Sequence, residues 1–326
     1  MTGYRFVHLK KFVLALLLAL PVATAFAQNY PTRPIRWIVT YPPGGTTDVI
    51  ARNVAQATSE QLGVAIVVEN KAGAGGLIGM DAAAKAEADG YTFLVSDASI
   101  ATAPSLYKKM PFDPIKDLTA VGLFVTVPHV IVVNAAVPAN NVNELVALSK
   151  KQPGKMNFSS GGLGSPLHLA GEVFRSATGI EWTHIPYKGA GPAILAVVTG
   201  EAQVAAPSVP AALGQISGGK MRALAVTSEK RIPNLRDIPT VFELGFPGAA
   251  MTGWVGLHAP AATPAPILNR MRAAVTQALA SPALQARLVE QGATVSAGTS
   301  EAYGKMVATE IARWGRVVQT AGITPE

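Results

Sequence analysis

Cysteine is absent from all 326 residues. That excludes disulfides, thiolate catalysis and Cys-ligated metal, and it leaves no acceptor for a lipid anchor. Charge is sparse, at 14% Asp, Glu, Lys and Arg, and aromatics make up only 6%. A chain so built must rest on an Ala, Val and Leu core, which suits α/β layers better than an aromatic-rich sandwich. No dense cluster of Lys and Arg interleaved with aromatics occurs, so no nucleic-acid partner is expected. The histidines His129, His168, His184 and His258 lack ligand spacing such as H-x-x-x-H, so neither metal nor cofactor is expected.

Long apolar runs are missing too, except near the start. Arg5, His8, Lys10 and Lys11 precede an apolar stretch from Phe12 to Leu20, far shorter than the ~20 residues of a membrane-spanning helix. Pro21 and then Ala25-Phe26-Ala27 complete the pattern of an export signal cleaved after Ala27, with Gln28 as the mature start and the periplasm as destination. Without Arg5, Lys10 and Lys11, the excess of 27 Lys and Arg over 20 Asp and Glu falls from +7 to +4. Modest positive charge favours encounter with an anionic ligand.

Beyond the leader, short β-branched runs alternate with helical spacing, the pattern of βα units. Strands are expected at 35–40, 64–69, 91–95, 118–133 (interrupted at Pro128), 156–158, 203–206, 221–226 and 254–258, with another ending at Ile185-Pro186-Tyr187. Helices are expected at 48–61, 79–88, 142–151, 166–178, 192–199, 267–280, 282–291 and 300–321. The chain would cross to a second lobe near 127 and return near 254. Residues 28–126 with 254–326 then form a discontinuous first lobe and 127–253 a continuous second one. Two crossings of this kind permit hinge closure.

Glycine-rich turns sit where strands should hand over to helices. Pro42-Pro43-Gly44-Gly45-Thr46-Thr47-Asp48 is the first; its glycines let the backbone approach a ligand, and its hydroxyls join the helix's free N–H groups. Asp48 suits a capping role. In the second, Ser159 to Pro166, Ser165-Pro166 forms an N-cap and N1 pair. The third runs from Tyr187-Lys188-Gly189 to Pro192. All are expected at the carboxyl ends of strands, where open sheets bind ligands. Together they suggest recognition of a carboxylate by hydrogen bonds instead of paired arginines. Gly73 to Gly79 lacks the third glycine of a dinucleotide loop and reads as a tight turn facing the cleft. Gly164-Ser165-Pro166 departs from the G-x-S-x-G elbow, which makes Ser165 a cap. Ser96 and Asp97 could serve the cleft or cap a helix.

The residues from Tyr30 to Arg36, Pro42 to Gly45 with Asp48 and Arg52, Val67 to Asn70 with Gly73 to Gly76, and Asp89 to Thr92 form an ordered set. Gly164-Ser165 with His168 to Glu172, Tyr187-Lys188-Gly189 with Pro192, Arg222 to Ser228, Ile238 to Val241 and Glu310 to Trp314 continue it to the end. In them the chain resembles the periplasmic receptors of tripartite tricarboxylate transporters, the Bug or TctC-type proteins. The resemblance implies an α/β, two-lobe Venus flytrap of type II with mixed, largely parallel sheets. It also implies a monomer that is no enzyme and passes a carboxylated metabolite to membrane transporter subunits. Carried over by position, Pro43, Gly44, Gly45, Thr46 and Thr47, with Ser96 and Asp97, would serve the first lobe. Ser160, Gly164, Ser165, His168, Tyr187, Lys188 and Gly189 would serve the second. Many relatives carry an acidic residue where this chain has Pro207 and then Ser208. A ligand ammonium would lack its partner there, which favours di- or tricarboxylates or aromatic acids over amino acids. The competing readings are a serine hydrolase built on Ser165 and His168, and a ligand sensor for a signalling partner.

Overall fold

The computed structural model describes residues 30–296 and 298–320; the leader expected over 1–27 lies outside them. Strands β1 (Ile35–Val39), β2 (Ile66–Asn70), β3 (Thr92–Asp97) and β4 (Leu118–Pro128) come first in the chain. Then come β5 (Val130–Asn134), β6 (Asn157–Ser160), β7 (Thr183–Pro186), β8 (Val204–Ala205) and β9 (Met221–Val226). Strands β10 (Thr252–Pro260) and β11 (Thr294–Val295) close the series. They form two sheets, in the orders β11-β4-β10-β3-β1-β2 and β7-β6-β8-β5-β9. In the first, β1 runs parallel to β2 and β3, and β10 runs antiparallel between β3 and β4. In the second, β6 runs parallel to β7 and β8, while β5 is antiparallel to β8 and β9. Of the parallel strands, β1, β2, β6 and β7 end in the glycine-rich turns.

The sequence explains the placement. All of β3 is buried, as a central strand covered on both faces must be, and its run Thr-Phe-Leu-Val is correspondingly apolar. Helices α1 (Thr46–Leu62), α2 (Leu77–Ala84) and α3 (Ser99–Leu106) follow β1, β2 and β3. In the second unit, α4 (Val142–Lys151) leads into β6, and α5 (Pro166–Thr178), α6 (Ala190–Thr199) and α7 (Val209–Ser217) follow β6, β7 and β8. The chain ends in α8 (Ala265–Leu279), α9 (Pro282–Glu290) and α10 (Ser300–Thr320).

One core lies between the first sheet and helices α1 and α8, with Trp37 stacked on Phe124 at 5.5 Å and Ile50, Val54, Met271 and Val275 around them. The other begins on the opposite face of that sheet, at Ile38, Leu94, Tyr303 and Trp314. It continues without a break into the second unit at Phe158, Val204 and Phe174. Between Pro128 and Val130 the chain changes sheets, and it returns just before Thr252. The two crossings are tied together by Thr227, which is fully buried. Its hydroxyl accepts the His129 N–H at 2.9 Å and donates to the Met251 carbonyl. Its own N–H bonds to the His129 carbonyl at 2.9 Å.

Candidate ligand-binding cleft

Between the two units lies a cavity of about 190 Å³, below the several hundred Å³ of a drug-sized pocket. Its wall includes the first residues of four helices: Gly45-Thr46 of α1, Ser165-Pro166 of α5, Gly189-Ala190 of α6 and the Ser208 cap of α7. Each helix start carries about half a positive charge in its free N–H groups. Among the described residues, Asp97 and Lys188 are the only acidic and basic side chains in that wall. The surroundings therefore favour an anion held by backbone dipoles.

The first turn is preorganised by Asp48, which is buried at the third residue of α1. The Gly44 N–H donates to Asp48 Oδ2 at 2.9 Å, and Arg52 Nε donates to both carboxylate oxygens at 3.0 and 3.1 Å. Asn70 Nδ2 reaches Asp48 Oδ1 and the Tyr41 carbonyl, both at 2.9 Å. Burial works against the charge, yet the bonds from Arg52, Gly44 and Asn70 hold this carboxyl below its ordinary value of 3.8. Gly44 needs its glycine because φ is +83°. Asp97 is a cap as well as a wall residue. Its Oδ1 accepts the Ser99 N–H at 2.9 Å and the Ser99 hydroxyl at 2.6 Å, and its Oδ2 accepts the Thr47 hydroxyl at 3.1 Å. Burial raises its pKa, and its lone pairs are occupied by these donors.

The units meet at the cavity rim. Thr46 Oγ1 and Ser208 Oγ lie 2.6 Å apart, joining the starts of α1 and α7. Gly189, with φ of +107°, sits where an added Cβ would come within 3.5 Å of Pro42. The Thr102 hydroxyl donates to the Gly164 carbonyl at 3.3 Å. The turn of Gly73 to Gly79 closes on the second unit instead of lining the cavity. A Cβ at Gly75 would lie 3.1 Å from the Leu163 carbonyl oxygen.

Of the residues expected from the sequence, Pro43, Gly44, Gly45, Thr46, Thr47, Asp97, Ser165, Lys188, Gly189 and Ser208 line the cavity. Ser96, Ser160, Gly164, His168 and Tyr187 do not, and each has a physical reason. Ser96 points to the far side of its strand, where its hydroxyl meets His258 Nδ1 at 3.1 Å. Ser160 turns back to His184 Nε2 at 2.5 Å. Gly164 has its N–H engaged by His168 Nδ1 at 3.2 Å. His168 is stacked on His184, 4.3 Å between ring centres, and burial lowers its pKa to about 3. Tyr187 packs on the second core. These groups shape the turn from behind.

The sequence reading missed His129, Gly161, Leu167 and the Gly253-Trp254-Val255 segment, all in the wall. It named Ser208 but missed the helix α7 that starts there, although Ser208-Val209-Pro210 carries an N-cap serine with proline in the first turn. Ser165 cannot act as a nucleophile as it stands. Its Oγ accepts the His168 backbone N–H at 3.3 Å, and the His168 ring faces away toward Gly164 and His184.

Comparison with known proteins agrees with this geometry. Residues 50–323 match the model of the tripartite tricarboxylate transporter family receptor, TctC. Protein BugT of Bordetella pertussis is 39% identical over 307 residues, spanning 94% of this chain and 93% of that one. A solved R. palustris protein with adipate superposes with a TM-score of 0.87 at 35% identity, covering 91% of this chain and all of the other. MatC from Rhodopseudomonas palustris with bound malate gives 0.84 at 30% identity, covering 89% of this chain and all of the other. The fold is therefore the two-lobe periplasmic-binding-protein fold, and these relatives are solute-binding proteins, not enzymes. The hydrolase alternative falls with that finding. The chain belongs to the receptor family of the tripartite tricarboxylate transporters.

Proposed function

We propose that this receptor captures a small carboxylated metabolite in the cavity between its units and delivers it to the membrane subunits of a tripartite tricarboxylate-type transporter. It would work as a monomer in the periplasm, after loss of the leader at Ala27. Residues 28–126 with 254–326 would close on 127–253, pivoting at the two crossings tied by Thr227. The observation that carries the reading is the convergence of the helix starts at Thr46, Pro166, Ala190 and Val209 on one small cavity. Dipoles from both units then meet at one negative charge, so a ligand touching both stabilises the closed form.

The wall's one described carboxyl, Asp97, is engaged by Ser99 and Thr47, and no acidic residue stands at 207 or 208, which favours di- or tricarboxylates or aromatic acids over amino acids. An ammonium buried there would lack a counter-charge. That the R. palustris relatives were solved with adipate and with malate supports the same choice. The test is calorimetry and thermal melting against a panel of carboxylates, using protein stripped of co-purified ligand by unfolding and refolding. At least one di- or tricarboxylate or aromatic acid should bind and raise Tm. If no acid does so, the reading is wrong.

A further inference from the structure

The buried histidines provide an internal comparison. His168 Nδ1 accepts the Gly164 N–H, His184 Nε2 meets the Ser160 hydroxyl, and His258 Nδ1 meets the Ser96 hydroxyl. His129 differs. It is only 1% exposed, and its Nδ1 has no hydrogen-bond partner among the described residues. Leaving such a nitrogen unmatched is destabilising, so its retention calls for a cause. His129 is also one of the residues that line the cavity, with Val127, Trp254 and Val255.

Its position is fixed from three sides. Thr227 holds the His129 backbone at both the N–H and the carbonyl. Opposite it stands Ser208, its antiparallel bridge partner. Gly253 on β10 gives the ring its seat, since a Cβ there would come 2.9 Å from Cε1 of His129. Burial lowers its pKa to about 4, so at neutral pH the ring is uncharged and offers one N–H and one lone pair. Apart from the Trp254 indole N–H, Val127, Trp254 and Val255 offer only apolar surface on this side of the cavity. A ligand that fills the cavity to this wall either meets the histidine with a polar atom or strands it.

We propose that His129 is a specificity-determining residue that selects acids carrying a second oxygen function, a carboxylate or hydroxyl, over plain monocarboxylates of the same length. The helix starts would take the first carboxylate, and His129 would hydrogen-bond the second group. This inference rests on the carboxylate reading of the cavity, and the experiment separates the two.

Affinities of wild type, His129→Phe and His129→Gln are measured by calorimetry for matched pairs: hexanoate against adipate, and butanoate against succinate and malate. Thermal melts confirm that each variant is folded. Wild type should favour the bifunctional member of the better-binding pair by roughly tenfold or more, the worth of a hydrogen bond to a charged group. His129→Phe should erase that preference, and His129→Gln should restore part of it. A preference that survives in a folded His129→Phe variant overturns the proposal. So does a wild type that binds both members of every pair equally. If His129→Phe does not fold, a His129→Gln variant that weakens mono- and bifunctional acids alike overturns it too. If wild type binds no acid at all, the carboxylate reading itself fails and takes this inference with it.

Discussion

Asp48 shows how a single buried side chain can set the shape of a binding turn without touching the ligand. Its carboxylate gathers Gly44, Arg52 and Asn70, and Asn70 in turn holds the Tyr41 carbonyl. Loss of the carboxylate would leave the Gly44 N–H and one N–H of the Asn70 amide without acceptors beside a half-exposed guanidinium. We expect Asp48→Ala to lower unfolding stability by about 2–3 kcal/mol, the range for losing hydrogen bonds to a charged group. Carboxylate affinity should fall as well, because the Pro-Gly-Gly turn loses its anchor. Asp48→Asn, which can still accept from Gly44, should lie between wild type and alanine in both respects. Urea unfolding and calorimetry on the same samples check both parts. Equal stability of wild type and Asp48→Ala would show that the network contributes nothing. The sequence placed Asp48 at the helix start as a cap for its free N–H groups, but the carboxylate turns back to the Gly44 N–H ahead of the helix instead. Its reach back to Gly44 and across to Asn70 depends on the pairing of β1 with β2, which local pattern does not specify.

Among the elements, the turns and the helices after them were readable because glycine, proline and cap residues act within a few positions. The runs at 166–178 and 142–151 were expected and are present as α5 and α4. Helix α3 was missed because Pro104 lies inside it and reads as a breaker. Helix α7 was hidden by Pro210 and Gly214 within nine residues. Which of two neighbouring polar groups faces the cavity was not readable either. Ser96 and Asp97 are adjacent in β3, and strand alternation sends one to each face, but only the packed sheets decide which face is wet. Pro128 was seen as an interruption, and there β4 and β5 separate into different sheets. Thr227 in the segment after β9 pins that break to the return crossing. Thr227→Val keeps the shape but removes the acceptor for the buried His129 N–H and the donor to Met251. It should cost about 1–3 kcal/mol in urea unfolding and weaken ligand binding through the displaced crossings. An unchanged denaturation midpoint would argue against the tie.

Across the whole molecule, the buried histidines couple folding to pH. His168 lies in the second unit, His258 in the first, and His129 at the junction. Burial lowers His168 and His258 to about 3 and His129 to about 4. An unfolded chain protonates these rings near 6.5, whereas the native protein does not until the pH falls to 4 or below. Between those limits the unfolded state binds more protons, so stability rises with pH. Their contribution is complete above about 6.5 and is lost as the solution is acidified toward 4. Asp97, whose pKa burial raises, acts in the opposite sense above its ordinary 3.8. It is one carboxyl against three rings. At pH 5 each fully depressed ring should cost roughly 2 kcal/mol relative to neutral pH, at about 1.4 kcal/mol per pKa unit. The continuous core that joins the units should make the loss cooperative, so that lobes and junction melt together. Urea unfolding at pH 7, 6 and 5 should therefore show a steadily falling midpoint with a single transition, and replacing His258 with Asn should flatten the slope by about one ring's share. A midpoint constant from pH 7 to 5 would mean that the rings exchange protons freely in the folded state, and two separated transitions would mean that the shared core does not bind the lobes into one unit.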